Sequence, residues 1–158
     1  MKEDWLSKAG HKTRWLIQPL LWLSFAVYLL LVAYIVFAAR RRQLHTPEEF
    51  RTFANFIPLN NLLPLKHIMS FSRQSIYDTA ENIFGNIALF MPLPFFLRHL
   101  LDIKGDRLII IIALLTSTTI EAMQFIVGVG IADVDDILLN TFGALMGVVA
   151  VNKLPKIV

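Results

Sequence analysis

Four apolar runs, separated by charged and polar stretches, set out the chain. The first, residues 15–39, carries only Gln18 and Ser24 as strongly polar positions. It is long enough to cross a hydrocarbon core about 30 Å thick with some tilt. A second run covers about residues 83–101 and a third about 108–127. The fourth, residues 137–151, has only 15 positions. At about 1.5 Å per residue it spans only if the aspartates ahead of it sit at the interface. The pattern predicts an all-α polytopic membrane protein, four transmembrane helices in an antiparallel bundle. The first run is too long for a signal-peptide core and lacks a small-residue cleavage site, so it reads as an uncleaved helix. Residues 1–14 then form a cytoplasmic N-terminal segment and residues 15–158 a single membrane domain.

The loop after the first run has a pattern of its own. In "TPEEF" Thr46 can cap a helix, Pro47 falls in its first turn, and Glu49 stands three residues after the cap. That is a capping box. Phe50, Phe53 and Ile57 follow at helical spacing, predicting a short interfacial helix on the membrane surface or packed on the bundle. In "SIYD" Ser75 is a second capping signal, which starts the next helix near Ile76.

Composition agrees with the pattern. Hydrophobic residues make up 56% and charged residues 17%, where a soluble domain averages about 25% charged; mean hydropathy is +0.58. There is no cysteine, which excludes disulfides and thiolate metal sites. The net charge of +3 is small and the basic residues flank apolar runs, so no nucleic-acid partner is expected. With four spans, nine of the fifteen basic residues share a side with the termini and the 101–107 turn. That asymmetry places both termini in the cytoplasm, against the pull of Arg40, Arg41 and Arg42 on the opposite side.

Polar residues then recur on single helix faces. Asn82 and Asn86 lie four apart; Ser117, Glu121 and Gln124 follow at spacings of four and three; Asp136 and Asn140 lie four apart, with Gly143 and Gly147 further along the stripe. In an antiparallel bundle all three faces fall in the outer half of the membrane, where Asp133, Asp135 and Asp136 begin the fourth helix. Intramembrane ionisable groups face a bundle interior or a wet cavity. The convergence predicts an outward-facing polar pocket, aspartates at its rim and Glu121 at its floor. Glu81 sits about 100° round the helix from Asn82 and is left out. Plainer readings stand beside this one: amides that only bond neighbouring helices, glycines that only let helices approach, a buried glutamate that is merely neutralised, and aspartates that suit a helix N-terminus. None of the four histidines (His11, His45, His67, His99) joins the set, and no nucleophile motif is present. No cofactor and no metal ligand set is expected, although carboxylates would suit magnesium or calcium best.

"NLLPL" at 61–65, "ENIFGNIALFMPLPF" at 81–95, "STTIEAMQ" at 117–124 and "DVDDILLNTFGALMG" at 133–147 together resemble the VanZ-like family. These are small bacterial membrane proteins, named for a glycopeptide-resistance member that lowers susceptibility to teicoplanin. The resemblance covers about residues 55–150. Carried over position by position, it implies Asn61, Asn82, Asn86, Glu121, Gln124, Asp133, Asp136 and Asn140 as ligand-binding residues. Two positions depart from the family pattern: Pro94 stands where members commonly have glycine, and Gly130 where many have arginine. Pro92 and Pro94 together should kink the inner half of the second span.

The resemblance implies a cell-envelope protein of the bacterial plasma membrane. Its outer pocket would engage a membrane lipid headgroup, a lipid-linked wall precursor or a lipoglycopeptide. An enzyme using Glu121 and Asp136 as acid and base, or as ligands of a hard cation, is a second reading, and a structural partner subunit a third. Four helices without repeats offer no alternating halves for transport. Oligomeric state and host stay open at this level.

Overall fold

The computed structural model describes residues 2–38, 46–60 and 73–153. Along them run α1 (Lys2–Phe37), α2 (Pro47–Thr52), α3 (Arg73–Phe90), α4 (Leu93–Leu100), α5 (Asp106–Val127) and α6 (Val134–Lys153). Four stretches are long and apolar enough to cross a membrane: Ile17–Phe37, Thr79–Leu100, Asp106–Val127 and Val134–Lys153. These are the four runs read from the sequence, and the fold is an all-helical membrane bundle.

Two boundaries move. The fourth span is the 20-residue α6, not 15 residues, and at 1.5 Å per residue it is about 30 Å long. A count of apolar positions stopped short because Asp135 and Asp136 occupy its first turn and Lys153 its last, where charges of those signs suit the helix dipole. α3 begins at Arg73, so Ser75 lies inside the helix and not at its cap.

The second span is broken as its prolines predict. Pro92 and Pro94 have no N–H, so the carbonyls four residues before them lose their helical donors. α3 stops at Phe90 and α4 starts at Leu93. At the break the Tyr28 hydroxyl of α1 donates to the Leu89 carbonyl at 2.9 Å. Phe25 and Tyr28 also pack their rings on Phe96 of α4, with centroids 5.0 and 5.3 Å away. α1 docks there, and its opposite face, with Leu23, Val27 and Leu30, is exposed.

α6 is the centre of the bundle, packed against α3, α4 and α5. It gets close to α3 through two glycines. A Cβ on Gly143 would stand 2.2 Å from the Ile87 carbonyl oxygen, and one on Gly147 would stand 2.2 Å from that of Met91. Between apolar helices in lipid, close backbone approach of this kind supplies the attraction that the hydrophobic effect supplies in water. Ile109, Ala113, Ala144 and Val148 fill the α5–α6 seam. At the end of the bundle away from the aspartates, Arg98 of α4 donates to Asp106 of α5 and to Asn152 of α6. Asn152 in turn donates to Asp106 at 3.0 Å, tying three helix ends together.

Candidate functional site

The other end of the bundle is built from the turn that joins α5 to α6. α5 stops at Gly128, whose φ of 66° is left-handed and whose N–H returns to the Gln124 carbonyl, the usual glycine ending. The next free carbonyls belong to Phe125 and Ile126. Arg51 of α2 donates to both, at 3.1 and 2.8 Å. α2 itself carries the capping box foreseen in "TPEEF": the Thr46 hydroxyl accepts from the Glu49 N–H and the Glu49 carboxylate from the Thr46 N–H. A short charged helix is thus pinned over the end of α5.

The chain after α2 then adds one strand-like stitch. Asn55 donates its N–H to the Ala132 carbonyl at 2.8 Å and accepts from the Val134 N–H at 3.0 Å, pairing in parallel with Asp133. Its side-chain amide donates to the Asp133 carboxylate at 2.7 Å. That carboxylate also accepts from the Asp135 N–H at 2.8 Å, capping α6 as an aspartate before a helix does. Glu121 reaches up from α5 and accepts from the Asp133 N–H at 2.9 Å. Asp135 turns the other way and accepts from the Leu59 N–H.

Asp136 faces α3. It accepts from the Asn86 amide at 2.6 Å and from the Asn82 amide at 3.2 Å, and Asn86 also donates to Asn82 at 3.1 Å. One turn deeper, Asn140 donates to the Ser117 hydroxyl at 2.9 Å, with its own carbonyl oxygen buried and unpartnered. All four carboxylates are buried, with Glu121 at 6% exposure, Asp133 at 8%, Asp135 at 0% and Asp136 at 2%. Buried charge is tolerated where donors converge on it, and backbone N–H groups and asparagine amides do so here.

The predicted residues therefore divide. Asn82, Asn86 and Asp136 make one cluster, Glu121 and Asp133 a second, and Asn140 lies below them. Gln124 lies apart from both clusters, fully buried, and donates to the Val36 carbonyl of α1 at 3.1 Å. Asn61 lies outside the described residues. Glu81 is exposed. Asn55 was missed, and its role comes from pairing with a residue 78 positions away, for which no local signal exists. Gly130 fits tightly over Gln124: a Cβ there would meet the Gln124 amide nitrogen at 2.8 Å, so a larger residue would have to displace that side chain. Among the described residues no group of three or more His, Cys, Asp or Glu is placed to hold a metal ion.

Beside the carboxylates lies a groove of about 360 Å³. Glu121, Asp133 and Asn55 stand at its wall, but most of its lining is apolar, from Phe56, Ala122, Phe125, Ile126, Val134 and Ile137. The Phe56 and Phe125 rings meet edge to face at 5.7 Å.

Four helices long and apolar enough to cross a membrane, with buried acids and amides gathered at one end of the bundle, define an integral membrane protein. The chain belongs to the VanZ/LLP1 family, whose model matches residues 25–154. The match takes in most of the first span as well as the three polar helices. At the level of the family, membership links the chain to glycopeptide resistance. Comparison with curated proteins and with solved structures finds no match.

Proposed function

We propose that the chain is a cell-envelope protein of the bacterial plasma membrane that binds an amphiphile at the acidic end of its bundle. The bound chemistry is a polar head carried on an apolar chain, as in a membrane lipid, a lipid-linked wall precursor or a lipoglycopeptide. Both termini face the cytoplasm, which turns this end outward, where such molecules are met. The observation that carries the reading is the burial of Glu121, Asp133, Asp135 and Asp136 at the meeting of α3, α5 and α6, directly beside an apolar groove. Four carboxylates are a costly way to join helices that apolar contacts would join as well. Binding, not catalysis, suits the site, because the acids are already engaged by amide and backbone donors.

Glu121→Gln tests it. Glutamine keeps the size and an oxygen to accept from the Asp133 N–H, but removes the charge. In a host made less susceptible to teicoplanin by the protein, this variant should insert and fold yet lose the protection. Glu81→Gln, on the exposed face, should keep it. Full protection by folded Glu121→Gln would overturn the proposal.

A further inference from the structure

The groove has a direction. On α5 its lining residues are Thr118, Glu121, Ala122, Phe125 and Ile126, spaced so that they form one stripe along the helix axis. From Thr118 to Ile126 that stripe is about 12 Å long at 1.5 Å per residue, most of the roughly 15 Å depth of one leaflet's hydrocarbon. Ala122 offers only a small side chain to the trough, and Val134 and Ile137 line it from α6. Its mouth is apolar too: Phe56 and Ile126 are 69% and 68% exposed. They continue into the lipid-facing surface made by Leu115, Met123 and Val127 on α5 and by Phe53 and Ile57 after α2. A trough running along a membrane helix, apolar over most of its lining and with Asn55 and Asp133 at its outer end, has the shape of an acyl chain lying beneath its headgroup.

We infer that this groove holds one acyl chain of a phospholipid from the outer leaflet, with the headgroup beside Asn55 and Asp133. The inference rests on the proposed binding of an amphiphile at this end of the bundle, and names the part of it that the protein grips. The trough is continuous with the surface already covered by lipid, so a chain enters sideways without leaving hydrocarbon. Recognition is by shape, because apolar side chains and lipid tails are equally apolar and only packing separates them.

The test uses the full-length protein in vesicles of phosphatidylglycerol and phosphatidylethanolamine. The probe is phosphatidylglycerol with a diazirine in the middle of one acyl chain. After irradiation, labelling of residues 118–126 and 132–137 should exceed that of the exposed α1 stripe about fivefold per residue, the enrichment sustained by about 1 kcal/mol of packing preference. Ala122→Phe fills the trough and should bring groove labelling down to the α1 level, with α1 labelling unchanged. Thr118→Leu, further down the trough, serves the same purpose if Ala122→Phe does not fold. Even labelling of groove and α1 would overturn the inference. So would undiminished groove labelling in the filled variants, or ready disulfide formation between copies carrying Ile126→Cys, which would make the groove a contact between chains. Groove labelling that persists while the protein gives no protection against teicoplanin would remove the proposed function and leave the acyl site standing.

Discussion

Replacing Gly143 with alanine is the sharpest perturbation of this bundle, because its consequence reaches from packing to the polar site. The new Cβ would lie 2.2 Å from the Ile87 carbonyl oxygen and 2.9 Å from that residue's carbonyl carbon and Cα, where ordinary contacts begin at 3.4 Å. All three atoms are backbone, so no side chain can swing aside. α3 and α6 must part by about 1 Å, a strain in the upper part of the range for overpacked interiors, about 2–3 kcal/mol. Asn86 precedes Ile87 and donates to Asp136 at 2.6 Å. The same movement stretches that bond past the limit of useful geometry, about 3.5 Å. Gly85 is the internal control: it is exposed, and a Cβ there meets nothing within 4 Å. Gly85→Ala should be neutral or stabilising by about 0.5–1 kcal/mol, since glycine disfavours helix. Unfolding in mixed detergent–SDS micelles measures both. Equal midpoints for Gly143→Ala and Gly85→Ala would refute the claim that close backbone approach sets the α3–α6 distance.

Removing the hydroxyl in Tyr28→Phe takes the donor from the Leu89 carbonyl at the helix break and should cost about 0.6 kcal/mol, the average for such bonds in membranes, by the same unfolding measurement; no loss would mean the break is satisfied otherwise. Arg51→Ala frees α2 from the end of α5, and should speed hydrogen exchange of backbone amides at 46–60 while leaving α6 protected. Unchanged exchange would show that the ties made by Asn55, Phe56 and Leu59 hold the segment without Arg51. For topology, a single cysteine replacing Lys104 should be shielded from an impermeant maleimide in intact cells, and one replacing Ile57 should be labelled. The reverse pattern would turn the acidic end inward.

Much of this arrangement was legible in the sequence. Ser117, Glu121 and Gln124 share a face by spacing alone, and that face is buried. The glycine pair at 143 and 147 announced close packing, and the prolines at 92 and 94 announced the break. Other features needed three dimensions. Helical spacing assigns a face but not a neighbour, so Gln124 could not be told apart from Glu121, although it turns to α1. Hydropathy counts apolar positions and ends where polar residues begin, which is why α6 looked five residues too short. Asn55 gave no sign, because its importance lies in pairing with the turn before α6 and in nothing adjacent to it.

The stitch between Asn55 and Asp133 also bears on how the molecule is made. Chains are synthesised from the N-terminus, so Asn55, Asn86 and Glu121 all emerge before the aspartates that bind them. Until α6 is released, the asparagines of α3 have yet to meet Asp136 and the glutamate of α5 has yet to meet the Asp133 N–H. Arrival of the last helix joins three earlier elements at once, and the acidic knot closes as a single late event. The knot therefore serves as a completion mark for biogenesis: a chain stalled or cut before Asp133 has the polar faces of α3 and α5 but not the helix that joins them. Mutations there are expected to act first on how much protein accumulates, so activity is best compared at equal amounts of folded chain.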